Sequence, residues 1–352
     1  MKNKDNNIMR AAMYYANNDI RIQKMRIPKI GADEILMRVE ACGICGSDIM
    51  QWYRIHKVPL VLGHEAAGVI EEAGLNVNGF KKGDRISVSH HVPCGQCHYC
   101  LMGHETVCDT LRQTNFEPGG FSEFLKIPAI NIQKKGVYPF PADLSFEEAT
   151  FIEPLACVLR GQRIANFKKG KSVLILGSGI SGILHIQYAK LIGASCILAT
   201  DINNWRLKKA AEFGADYCVH ANQDIPAILK QKNNGMLADL VIITTGARAA
   251  LMQAINSVQR GGTILFFAAT NKGVTMEFNV NDIFWRNEVT LVSSYAATPG
   301  EHLEALRLIK KKKIRVKEMI THRFKLADTV KGFQLVEAAG ESLKVIIEPQ
   351  IK

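Results

Sequence analysis

The pattern of apolar and polar positions changes near residue 150. Before that point apolar and polar residues alternate in short runs, such as 35–39, 67–71 and 85–89, separated by turn signals like Gly83-Asp84. This predicts an irregular, mainly β domain over 1–150. From residue 172 the apolar runs become nearly continuous, at 172–176, 196–201, 217–219, 240–244, 263–268 and 289–293. Runs of that kind are buried on both faces, as parallel strands are. Helical patterns at 182–191 and 204–213 lie between them, and strand–helix alternation predicts a doubly wound parallel sheet, an α/β domain over 151–294. An amphipathic helix at 299–310 and a strand at 344–348 follow, and 295–352 is expected to return to the first domain.

Composition narrows the possibilities. A chain of 352 residues with 47% hydrophobic and 22% charged positions can build two packed cores, which excludes a disordered chain. The net charge of +11 invites a nucleic-acid reading, but the basic residues are scattered. The one dense run, Lys310 to Lys313, reads as a solvated helix end. A mildly positive field also attracts an anionic dinucleotide. The first ten residues lack the apolar stretch of an export signal, and no run is long enough to span a bilayer. Nine cysteines, an odd count with five in motifs suited to metal, point to a reducing, cytoplasmic setting.

The run at 172–176 leads into Gly177-Ser-Gly179-Ile180-Ser181-Gly182 and then a helix. Gly177 permits a tight turn, Gly179 a close approach to pyrophosphate, and Gly182 close packing of helix on strand. The helix N-terminus offers free N–H groups to phosphate. Asp201 ends the next strand, where a carboxylate accepts the ribose hydroxyls of NAD and repels the 2′-phosphate of NADP. NAD is therefore the expected cofactor. Arg206, one helical turn on, is either a further cofactor contact or an ordinary surface arginine.

Two constellations suit zinc. Cys94, Cys97, Cys100 and Cys108 place four thiols within fifteen residues, which fills a tetrahedral ion and leaves no open position, so this site is read as structural. The neighbouring histidines 90, 91, 98 and 104 are expected to be solvated loop residues. Cys45, His64, and Glu65 or Glu153 come from separate segments, and a mixed sulfur, nitrogen and carboxylate set suits a catalytic zinc with one position open. Cys42 and Cys45 also form a C-x-x-C, but the glycine-rich context and His64 argue against thiol–disulfide work. Cys157, Cys196 and Cys218 read as packing residues.

Together these motifs resemble the zinc-containing medium-chain dehydrogenases over nearly the whole chain. The resembling segments are Gly43-Ile-Cys45-Gly-Ser47-Asp48, Gly63-His64-Glu65-Ala-Ala-Gly68, the four-cysteine lobe and the glycine loop. Ile152-Glu153-Pro154-Leu155 is similar to the sorbitol dehydrogenase branch. The resemblance implies a GroES-like catalytic domain beside a Rossmann domain, and two zinc ions per subunit. It also implies hydride transfer between a small secondary alcohol and NAD, without nucleic-acid or membrane partners, in a homodimer or homotetramer. Cys45, His64, Glu65 and Glu153 are then catalytic ligands, with either glutamate bound directly or through water. Asp48 orients His64, and Ser47 is the first proton acceptor. Gln51, Trp52, Phe116, Ser294 and Tyr295 are candidate pocket residues. Sorbitol dehydrogenases usually carry tyrosine at Gln51 and arginine at Ser294, and the family's relay histidine is Met50 here. An amino-alcohol oxidation of the threonine 3-dehydrogenase type stays open. A zinc-ribbon nucleic-acid binder fits the charge and the four thiols but not the glycine loop with its acid.

Overall fold

The computed structural model describes residues 7–352. The chain divides into two compact units. One holds the described residues through Ala156, with 296–311 and 316–352; the other holds 157–295 and 312–315.

The first unit is the mainly β, GroES-like one. Its strands are β1 (Ile8–Ala16), β2 (Asp19–Arg26), β3 (Ile35–Gly43), β4 (Leu60–Val61), β5 (Glu65–Ala73), β6 (Arg85–Val88), β7 (Phe124–Ile127) and β8 (Val137–Pro139). A single-turn helix, α1 (Gln51–Arg54), precedes β4, and α2 (Ile152–Ile164) crosses the boundary into the second unit. Strands β2, β1 and β4 form a small sheet. The last segments of the chain, α7 (Pro299–Lys310), β15 (Ile320–Lys325), α8 (Thr329–Glu337) and β16 (Lys344–Glu348), also belong here. They give the larger sheet its order, β15-β16-β3-β5-β6-β8, with β7 also on β3. Alternating inward positions such as Ile35, Met37, Val39, Ile70, Ile86 and Val345 are buried in one apolar core. Burying side chains of this size contributes on the order of 1.5–3 kcal/mol each before entropy.

The second unit is the doubly wound, Rossmann-like one. It contains β9 (Ser172–Leu176), α3 (Ile180–Ile192), β10 (Cys196–Asp201), α4 (Asn204–Glu212), β11 (Tyr217–His220), α5 (Ile225–Lys232), β12 (Ala238–Ile243), α6 (Arg248–Ser257), β13 (Val258–Phe266) and β14 (Thr290–Ser293). All six strands pair in parallel in the order β11-β10-β9-β12-β13-β14. The order reverses at β9, and in such sheets ligands bind beyond the C-terminal ends of the strands at that point. Every residue of β9 is buried, which is why it reads as an unbroken apolar run. Lys310 to Lys313 are exposed, as a solvated helix end requires.

Candidate metal centres and dinucleotide site

Antiparallel pairing brings the metal donors together. Strand β3 ends at Gly43 opposite Glu65, the first residue of β5. Cys45 lies just beyond one strand end and His64 just before the other. Gly63, at φ +94°, makes the bend into His64, and a Cβ there would press on Cys42 Sγ and the Phe121 backbone. One donor atom each from Cys45, His64 and Glu65 lie within 4.8 Å of one another. Glu153 falls outside that group; it stands in the first turn of α2 and is 9% exposed.

Asp48 organises the cluster. It is fully buried, its Oδ2 accepts from the Cys45 N–H at 3.0 Å, and its Oδ1 lies 3.3 Å from His64 Nδ1. That contact leaves His64 Nε2 available to a metal, an arrangement common to metal-binding histidines. Burial disfavours a charged imidazole, but Asp48 and Cys45 outweigh it and hold His64 well above the ordinary histidine range. Burial likewise opposes the Asp48 carboxylate, yet His64, Arg54 and the Cys45 N–H keep its pKa below the usual value. Glu65 pairs with Lys344, which reaches in from β16 with a wholly buried side chain. The donor set is soft and hard together and compact enough for one ion, so the residues fit zinc.

One sequence expectation changes here, that of His90 and His91. Histidines 98 and 104 do lie on the exposed lobe, but His90 and His91 are not solvated. The end of β6 carries them inward, and the His90 ring lies 4.8 Å from that of His64 and 3.7 Å from that of His91. Burial presses both below the ordinary range, His91 to about 4. Lys344 and Arg54 carry no metal-type motif and were not legible as parts of the centre.

The pocket candidates lie in different settings. Gln51 is exposed, and its Oε1 accepts from the Asn17 N–H at 3.1 Å. Trp52 has a buried Nε1–H without a partner. Phe116 is packed in the first core, with its ring edge-on to His90 at 6.2 Å. In the second unit, Ser294 follows β14 with its Oγ buried and unpartnered, and Tyr295 is half exposed. Ser47 is half-buried, its N–H directed at Cys45 Sγ at 3.5 Å.

The four-cysteine lobe has the spacing of a filled tetrahedron. Cys97 Sγ is 3.6 Å and Cys94 Sγ 3.9 Å from Cys100 Sγ. Four sulfurs about 2.3 Å from zinc stand about 3.8 Å apart. The backbone N–H groups of Gln96 and Cys97 donate to Cys94 Sγ, and that of Cys94 to Cys108 Sγ. Such donors stabilise thiolates. Burial resists ionisation of Cys108, but the Cys94 and Leu111 N–H groups and the Cys94 and Cys97 thiols bring its pKa to about 6. Cys42 is wholly buried, and burial raises its thiol well above the ordinary range, so it is poorly suited to redox exchange.

In the second unit the glycine loop has the backbone its sequence demands. Gly177 adopts φ +102°, and a Cβ on Gly182 would collide with the Gly177 carbonyl. Gly179 caps α3, followed by Ile180 and Ser181 in its first turn. Asp201 ends β10, accepting from Ser178 N–H at 2.8 Å and Asn203 N–H at 2.9 Å. Arg206 brings its guanidinium beside Gly179, where an added Cβ would meet it at 3.6 Å. A carboxylate and a helix N-terminus at one strand end fit a dinucleotide.

Fold and centres together define a zinc-binding, nucleotide-linked dehydrogenase. Residues 31–141 match the alcohol dehydrogenase GroES-like domain and residues 181–311 the zinc-binding dehydrogenase domain. The chain is 31% identical to a sorbitol dehydrogenase of Bacillus subtilis, over 97% of each protein. It is similar to the structure of a zinc-binding dehydrogenase of Sinorhizobium meliloti bound to NADP, with TM-score 0.87, 30% identity, and coverage of 97% of this chain and 99% of that one. A dehydrogenase of Escherichia coli complexed with NADH matches at TM-score 0.86 and 27% identity, over 97% and 100%. The chain belongs to the zinc-binding medium-chain dehydrogenase family. It is an NAD- and zinc-dependent oxidoreductase acting on a CH–OH group of a small alcohol. Among the described residues no helix is long and apolar enough to cross a membrane.

Proposed function

We propose that the substrate is a polyol, cyclitol or related sugar-like secondary alcohol, oxidised at one carbinol. The observation that carries this reading is the compact Cys45, His64 and Glu65 group. Similarity to sorbitol dehydrogenases supports the polyol class. When bound, zinc supplies Lewis acidity toward the carbinol oxygen, and NAD accepts the hydride.

The chain's own residues do the rest. Cys45, His64 and Glu65 hold the ion, and Asp48 fixes the His64 ring through Nδ1. Ser47, beside Cys45, receives the hydroxyl proton, since its oxygen both accepts and donates. Met50 cannot pass that proton on, so water, a cofactor ribose hydroxyl or Glu153 completes the path. Glu153 otherwise acts through water. Gly177, Gly179, Ile180, Ser181 and Gly182 cradle pyrophosphate, Asp201 selects NAD over NADP, and Arg206 flanks the loop. Cys94, Cys97, Cys100 and Cys108 hold the structural zinc. Gln51, Trp52, Phe116, Ser294 and Tyr295 shape substrate choice.

The enzyme is further proposed to be a cytoplasmic homodimer or homotetramer without nucleic-acid partners. Nine cysteines, five of them in the two candidate metal groups, suit a reducing compartment. Phe284 and Trp285, 56% and 63% exposed, precede the edge strand β14, a pattern suited to a copy-to-copy contact.

The test is NAD reduction across polyols, cyclitols and amino alcohols, with metal content measured on the same sample. The expected result is two zinc ions per chain and turnover confined to polyhydroxylated substrates. Cys45→Ala and His64→Ala should lose turnover while still binding NADH. Preferred oxidation of an amino alcohol would overturn the substrate class, and full activity in either variant the metal assignment.

A further inference from the structure

Asp48 poses a problem of charge. Its side chain is wholly buried, and its Oδ1 has no well-aligned hydrogen bond, only His64 Nδ1 at 3.3 Å. An imidazole that ligates a metal is neutral. With the ion in place, His64 therefore brings Asp48 a dipole and no formal charge. A buried carboxylate without a cation is costly. Among the described residues, the other cation paired with Asp48 is Arg54.

Arg54 is well placed for the task. Its side chain is 16% exposed, with Nη2 3.8 Å from Asp48 Oδ1. Its Nε donates to the Ser47 carbonyl at 3.2 Å. One guanidinium thus spans Ser47 and Asp48, the two residues that follow Cys45 and Gly46. The fold fixes where this guanidinium stands. Arg54 closes α1, whose other end is fastened by Asn17: its N–H donates to Gln51 Oε1, and its Nδ2 donates to the Ile49 carbonyl at 2.9 Å. Asn17 is itself tied to Tyr14 Oη and Glu337. A planar fork can serve a carbonyl and a carboxylate at once, which a point-charged ammonium does less well.

We propose that Arg54 is the counter-ion of Asp48 in the metal-loaded enzyme. It is a positioning residue that keeps the 45–48 turn closed while His64 is neutral, and so governs how tightly the Cys45, His64 and Glu65 centre holds its ion. This rests on the assignment of that centre to zinc. No contact of Arg54 with substrate is involved.

The test is zinc retention by the full-length holoenzyme against graded dipicolinate, with the Cys94–Cys108 zinc as internal reference. Arg54→Gln keeps an N–H donor and removes the charge. It should weaken one of the two zinc ions about 10- to 100-fold, the range for lost outer partners of ligating histidines, and leave the other unchanged. Arg54→Lys, which restores the charge, should recover most of the loss. Asp48→Asn removes the anion, so the Arg54→Gln/Asp48→Asn double variant should be no worse than Asp48→Asn alone. Cobalt(II) in the same site should show shifted visible bands in Arg54→Gln and near-native ones in Arg54→Lys. Far-ultraviolet circular dichroism and NADH binding check folding; should Arg54→Gln fail to fold, the comparison of wild type with Arg54→Lys and Asp48→Asn still decides, because a charge role requires near-native retention in the lysine variant. Wild-type affinity in Arg54→Gln, or losses that simply add in the double variant, would overturn the proposal. A wild-type protein holding only the four-cysteine zinc would instead overturn the centre itself.

Discussion

Lys344 and Glu65 are ion-paired with both side chains closed to water, 279 positions apart in the chain. Strand β16 pairs with β3, and β3 with β5, so the last strand delivers a cation to the first residue of β5. Gly43 lies between them, and a Cβ there would collide with Glu65 Oε2 and Lys344 Cε. In the metal-free protein, Lys344→Met leaves Glu65 buried without a cation, which costs about 3–5 kcal/mol. Gly43→Ala should destabilise for a steric reason. Urea unfolding of the metal-free protein checks both, and a midpoint unchanged in Lys344→Met would refute the role given to the pair.

Acid should weaken the fold through buried neutral histidines. Burial holds His302 and His91 at about 4 and His185 at about 3, against about 6.5 for a free histidine. The unfolded chain therefore binds more protons in this window. Stability is fully present above about pH 6.5 and is lost as pH falls toward 4. His302 stacks on Tyr138, and its Nδ1 bonds the Thr298 carbonyl. His302→Gln should remove roughly 2 kcal/mol of the stability difference between pH 7 and pH 5. Urea unfolding at pH 7 and pH 5 measures the difference between variant and parent.

In metal-free protein His64 works in the opposite sense. Its raised pKa contributes stability that is fully present below about pH 6.5 and lost as pH rises through the elevated value. Zinc needs the neutral ring, so ion and proton compete. Zinc uptake at the Cys45 centre should strengthen with pH, releasing protons. Calorimetric titration in buffers of different ionisation enthalpy detects them.

Asp201→Asn should weaken NADH binding by about 10- to 100-fold while NADPH binding improves, because the carboxylate that repels a 2′-phosphate is gone. The Ser178 and Asn203 N–H groups that Asp201 satisfies limit how much the amide can compensate. Fluorescence titration with the two reduced cofactors reads the ratio.

Cys100→Ser should drop zinc content from two ions per chain to one and leave the 94–108 lobe open to proteolysis. Tyr99, Leu101 and Met102 are exposed, so the lobe has little apolar burial to replace the lost metal bonds. Metal analysis and limited digestion of the variant check this.

Local pattern was enough for much of the molecule. The strand at 172–176, the glycine loop and Asp201 are neighbours in sequence, and each is dictated by short-range sterics, burial and periodicity. The four thiols are close in sequence for the same reason and could be grouped without a fold. His90 and His91 were misleading because a polar pair beside a cysteine lobe looks solvated until the end of β6 is seen to carry it inward.

What only the tertiary structure decided is how distant segments share one space. Lys344 on β16 meets Glu65, and Arg54 turns back onto Ser47 and Asp48. Neither contact follows any sequence period, because lysine and arginine are ordinary surface residues until a sheet register or a fastened turn buries them. The ligand types could be read from the sequence since metals select donor chemistry. The cations that balance those ligands could not, since charge acts through space and the chain order hides the distance.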